Sequence, residues 1–144
     1  MKNLLLIAPL VLGACAAPGN IPLDADGPVA RTIERVLQRT EAYMVMENPP
    51  VPILPQTPGQ VAAAAEVARA MLLLPEASGT MLLITMAPLM DFHDMLVSMD
   101  PALDALERAI YLESTARLRS LFNSVNIHEP EPAPEPAPEP APAQ

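Results

Sequence analysis

Thr80-Met81-Leu82-Leu83-Ile84-Thr85-Met86-Ala87 is the stretch on which the fold turns. Its composition suits a buried strand, because such residues pack well on a pleated surface. A strand needs a partner, however, and no other segment alternates apolar and polar residues convincingly. The stretch is therefore predicted to be helical and the chain all-α. Pro88 then kinks this helix or opens a new one that runs to about Met99. Residues 71–74 are also very apolar, but Pro75, Glu76 and Pro88 break up the region, so it does not read as a transmembrane span.

Composition points the same way. The chain has 144 residues, enough for one small domain. Hydrophobic residues make up 51% of it and aromatics only 3%, so its core must be filled by Leu, Met, Ala and Val. That inventory favours helices over a sheet. The net charge is −9, and Lys2 is the only lysine. This balance argues against nucleic acid, whose binding rests on neutralising phosphates. It equally disfavours a polybasic grip on anionic lipid.

Outward from Thr80 the helices can be placed by period and punctuation. A first helix begins near Pro28, with Asp24 and Asp26 favouring its positive end. Val29, Ile33, Val36, Leu37 and Met44 recur at three and four residues, and the pattern ends at Asn48-Pro49-Pro50. Residues 49–58 place Pro49, Pro52, Pro55 and Pro58 three apart, which is the period of polyproline II. Such a ridge suits proline-binding domains, but the interleaved Val51, Ile53 and Leu54 favour a stiff connector packed on the protein's own helices. Thr57 and Gln60 form a capping box that opens a second helix, which Pro75 stops after about Leu74. Pro75 to Gly79 reads as a turn. Asp100 caps the last helix with Pro101 at its first position, and that helix should end near Asn123. Asp104 with Arg108 and Glu113 with Arg117 are four-residue pairs in the favourable order.

The two ends of the chain differ from this body. From Glu129 onward it repeats Glu-Pro-Ala-Pro, which cannot bury a core and reads as a disordered, extended acidic spacer. At the other end Lys2 precedes an apolar run to Leu12, too short to span a bilayer, then Gly13, Ala14 and the only cysteine, Cys15. The expected organisation is a signal peptide at 1–14, a tether at 15–27 and a helical domain at 28–125. Residues 126–144 form the tail. The whole is a small bundle of about four helices between the tether and the acidic tail.

Leu12-Gly13-Ala14-Cys15 resembles the lipobox of bacterial lipoproteins. The resemblance implies recognition of Leu12, Gly13 and Ala14 by a signal peptidase and cleavage before Cys15. It also implies a covalent lipid on Cys15, made of a diacylglyceryl thioether and an acyl chain such as palmitate. Two or more chains anchor stably. Ala16 follows the cysteine where aspartate would signal inner-membrane retention, so the family's sorting rule implies an outer-membrane protein facing the periplasm. No other cofactor is implied.

Catalytic or metal chemistry has few candidates. Asp91-Phe92-His93-Asp94 is the one suggestive cluster; on a helix His93 shares a face with Leu89, Leu96 and Val97 while the two acids point elsewhere, so the cluster reads as an accident of adjacency. His128 reads as solvated. Nine methionines raise cuprous copper, with Met90, Met95 and His93 as the weak metal candidates. Met81, Met86, Met90, Met95 and Met99 would split between two helix faces, so core filling is the favoured reading. No nucleophile elbow or phosphate-cradling glycine loop is present, and no small-molecule substrate is identified. The expectation is a non-enzymatic lipoprotein acting through contacts with an envelope protein. The alternatives are a lysis protein resembling phage outer-membrane spanins and a periplasmic copper binder.

Overall fold

Ile33, Val36 and Leu37 are fully buried along one side of the first helix, so the three-and-four spacing read from sequence is the spacing of the core. In the computed structural model, which describes residues 19–126, the elements are β1 (Asn20–Pro22), α1 (Pro28–Met44), α2 (Thr57–Leu72), β2 (Glu76–Ser78), α3 (Gly79–Met99) and α4 (Ala105–Asn126). The protein is a small, mostly helical bundle of four helices. Thr80 to Ala87 is helical, and α3 is the central element, packed against each of the other three helices. It is long and apolar enough to cross a membrane by length and composition, and here those apolar residues are shared between the core and the surface.

Two short strands depart from the expected pattern. Residues 20–22, assigned to an unstructured tether, pair antiparallel with residues 76–78, assigned to a turn. Ile21 and Leu23 are buried, and the Leu23 N–H donates to the Pro75 carbonyl at 2.8 Å. The glycine before β1 is required by its backbone. Gly19 has φ +84°, and its carbonyl accepts from the Gly79 N–H at 2.8 Å. Residues 20–23 therefore belong to the folded unit, where the sequence predicts a tether.

Helix boundaries moved for local reasons. α1 ends at Met44 rather than Asn48, and α2 at Leu72 rather than Leu74. Thr57 lies inside α2 rather than capping it: its N–H donates to the Leu54 carbonyl, so a preceding turn starts the helix one residue early and Gln56 holds the cap position without a side-chain bond. Pro58 is thus helical, and the row of four prolines is broken. The connector does pack on its own domain, with Val51 against Tyr43, Leu96 and Val97. Pro88 neither breaks nor restarts α3; it stands inside one continuous helix of 21 residues, on an exposed side where water can serve the carbonyl left without its usual partner.

The last helix is capped by Asp104, not Asp100. Asp104 Oδ1 accepts from the Glu107 N–H at 2.8 Å while Glu107 Oε2 accepts from the Asp104 N–H at 3.2 Å, a reciprocal capping box. Asp100 is occupied elsewhere. It accepts from the Tyr43 hydroxyl at 2.6 Å and the Ala102 N–H at 2.9 Å. Arg108 donates to the carbonyls of Asp100 and Leu103 rather than pairing with Asp104, whereas Glu113 and Arg117 pair as expected.

These contacts fix the directions of the helices. The strand pair puts the starts of α1 and α3 side by side, and the Tyr43–Asp100 bond joins their far ends. α2 and α4 run the opposite way, and α4 packs against β1 as it finishes. Among the described residues, the chain therefore enters the bundle at Asn20 and leaves it at Asn126 on the same end. The expected tail lies outside the described residues beyond Asn126.

Candidate functional site

The polar residues that sequence reading set aside converge between α1, α3 and α4. His93 projects from the core face of α3 beside Leu89, Leu96 and Val97, as its spacing required, and it is 0% exposed. Its Nε2 lies 3.4 Å from the Arg39 guanidinium and its Nδ1 3.0 Å from Asp94 Oδ1. Arginine can only donate, so Nε2 is the acceptor and the ring proton sits on Nδ1, donating to Asp94. Burial holds the His93 pKa below its ordinary value, with Asp94 acting in the opposite sense. The imidazole is thus neutral.

Asp94 is the hub. Besides His93 it accepts from the Thr115 hydroxyl at 2.6 Å and from Arg119 at 2.6 Å, both on α4. Burial would raise its pKa, but the bonds from Thr115, Arg119 and His93 outweigh that and hold it below the usual carboxylate range. Arg119 spans from Asp94 to Asp91, 2.8 Å away on the exposed side. Asp91 and Asp94 stand three residues apart and so present neighbouring positions to one guanidinium. The cluster is a built network rather than an accident of adjacency.

A second arginine closes the other side. Arg39 places its guanidinium carbon 3.2 Å from the ring centroid of Tyr111 on α4 while facing His93 on α3. On the α1–α2 side, Arg69 is held between Glu34 and Glu41, with bonds from 2.6 to 3.2 Å. Those bonds lower the Glu41 pKa and raise that of Arg69. Near the far end, burial first and then the Asp100 bond raise the Tyr43 phenol.

What this arrangement does chemically is orient helices. Both His93 nitrogens are engaged and the ring has no exposed surface, so a substrate has no route to it. Thr115 donates to the Asp94 carboxylate instead of standing beside His93 Nε2, where a nucleophile activated by the imidazole would have to lie. The metal candidates are dispersed: Met90 is in the apolar core with Met86, whereas Met95, Met81 and Met99 are exposed. Among the described residues no group of three His, Cys, Asp or Glu side chains is placed to hold a metal ion. Cys15, Leu12, Gly13, Ala14 and His128 lie outside the described residues.

Two open grooves flank the network. One, of about 330 Å³ between α1 and α4, is lined by Thr32, Arg35, Ile110, Ser114, Arg117 and Leu118. The other, of about 390 Å³ between α2 and α3, is lined by apolar Val61, Ala64, Pro88, Leu89 and Phe92 with Thr57 and Gln60. Sequence reading missed Arg39 and Arg119 as partners of His93 and Asp94. The available signal was the three-residue spacing of Asp91 and Asp94 opposite a helix rich in arginine. Comparisons with protein-family models, curated proteins and solved structures find no match to the chain.

Proposed function

We propose that the chain is a lipid-anchored lipoprotein of the bacterial envelope, on the outer membrane and facing the periplasm, which works by protein contact. The observation that carries this reading is the tetrad Leu12-Gly13-Ala14-Cys15 after a short apolar run. Signal-peptidase cleavage before Cys15 leaves a sulfur and an α-amino group for acylation, and several acyl chains give an anchor that one chain cannot.

The bundle supports a positioning role. Only a few positions of sequence separate Cys15 from β1. The opposite end carries the α1–α2 connector, where Val45, Met46 and Leu54 are exposed among the prolines of residues 49–55. An anchor at the β1 end presents that apolar, proline-rich end away from the membrane, toward an envelope protein. The polar network keeps the four helices in one register so that the presented surface stays fixed.

Growth with an alkyne fatty acid tests the reading. The wild-type protein takes up label and the Cys15→Ser variant does not; equal labelling of both, or none in either, contradicts it. In-cell crosslinking through a photoreactive residue at Val45 or Leu54 then identifies the contact, and crosslinks concentrated there rather than on α4 are the expected result.

A further inference from the structure

The end of the bundle at which the chain enters bears an apolar surface that the core does not use. Leu73 is 84% exposed and Leu74 50%, just after the last turn of α2. Met81 is 51% exposed and Ile84 63%, in the first two turns of α3. The Thr85 hydroxyl lies 3.9 Å from the Met71 sulfur, which brings these two helix ends together. The same end receives β1: Leu23 bonds to Pro75, and Gly19 to Gly79.

The stretch that supplies this surface is nearly free of charge. Residues 70–88 contain one formal charge, Glu76, and its carboxylate accepts from the Asn20 amide at 3.1 Å. No lysine or arginine occurs in that stretch, while Asp24 and Asp26 are exposed on the adjoining β1–α1 turn. Such a face has no attraction for anionic headgroups. It suits the apolar upper layer of a neutral bilayer, where leucine, isoleucine and methionine lose water at no electrostatic cost.

We infer that Leu73, Leu74, Met81 and Ile84 form a membrane-resting face that seats the bundle, end on, in the lipid surface holding its anchor. The inference rests on lipidation of Cys15. The geometry that selects lipid as the occupant is the length of the connection. From Cys15 to Gly19 the chain spans at most about 14 Å even when fully extended. The β1 end therefore cannot leave the membrane surface, and the exposed side chains beside it meet lipid before anything else. The anchor and this face then act as two attachments, so the bundle is held upright rather than swinging on its tether.

Fluorescent labelling of the full, anchored protein in vesicles of phosphatidylcholine tests this. Lipidation of Cys15 leaves its sulfur unreactive, so Leu73→Cys, Ile84→Cys and Val45→Cys each provide one site for an environment-sensitive dye. The expected result is blue-shifted emission at 73 and 84, quenched several-fold more strongly by brominated lipid than at 45, and unchanged by high salt. Quenching at 73 and 84 no greater than at 45, with Cys15 lipidated, overturns the face and leaves the lipoprotein reading standing. Shielding at 73 and 84 without lipid quenching, together with crosslinking between copies through these sites, assigns the surface to self-association and overturns it as well. A free Cys15 thiol that takes up dye removes the lipoprotein reading, and this inference with it.

Discussion

Replacing Asp94 by alanine is the sharpest probe of the network. The change removes the acceptor of three bonds: from Thr115 and Arg119 at 2.6 Å and from His93 at 3.0 Å. The losses are unequal. Thr115 can turn its single O–H to the Leu112 carbonyl, 2.9 Å away, and Arg119 keeps Asp91 and solvent. His93 Nδ1–H is left buried with nothing to bond, at about 1–3 kcal/mol, and the lost charge-assisted bonds bring the total to roughly 2–4 kcal/mol. Asp91→Ala is the control, because its side chain is 74% exposed against 24% for Asp94, although both meet the same arginine. A surface pair of that kind is worth about 0–1 kcal/mol. Urea unfolding of the mature-length Cys15→Ser chain, followed by circular dichroism, measures both. The midpoint should fall strongly for Asp94→Ala and barely for Asp91→Ala, with a melting difference on the order of 10 °C. Variants within about 0.5 kcal/mol of each other would refute the claim that Asp94 organises α3 against α4.

Acidification should destabilise the fold. The unfolded chain protonates His93 near about pH 6.5, while burial keeps the folded imidazole neutral to lower pH, so stability falls as pH drops below that point. Asp94 and Glu41 are also held below their ordinary values and extend the loss below about pH 4. Urea midpoints from pH 7 to 5 should show this slope, and His93→Gln should flatten it. Tyr43→Phe removes the bond joining the far ends of α1 and α3, while Asp100 keeps the Ala102 N–H, so a loss of about 1–2 kcal/mol is expected in the same assay. Pro88→Ala should instead stabilise by about 1–2 kcal/mol, since alanine restores a helix bond at an exposed position and gives back only part of that through a freer unfolded chain. A lower melting temperature for that variant would mean that Pro88 shapes the α2–α3 groove it lines.

Much of this architecture is legible in the sequence. The period of Ile33, Val36 and Leu37 is a local signal, and it placed α1 and its buried face correctly. Thr80 to Ala87 lacks a strand partner in the sequence, which predicts helix, and it lies in the central helix. What escaped was decided by distant contacts. Two three-residue strands carry too little pattern to detect, and only Ile21 and Leu23, alternating around Pro22, hinted that the tether was packed. Asp100 and Asp104 are equally good caps in sequence; Tyr43, 57 positions away from Asp100, takes the first and leaves the second to start α4. The Asp91–His93–Asp94 cluster looked idle because its partners, Arg39 and Arg119, lie on other helices. Nothing local could reveal that the chain enters and leaves at one end, since that follows from the order in which four helices alternate in direction.

The mass of the mature N-terminus tests the central claim most directly. Protein extracted from membranes in detergent, digested and analysed by mass spectrometry should yield an N-terminal peptide beginning at Cys15, carrying a diacylglyceryl group on sulfur and an acyl group on nitrogen. A peptide beginning at Met1, or one containing Cys15 as a free thiol, would contradict it.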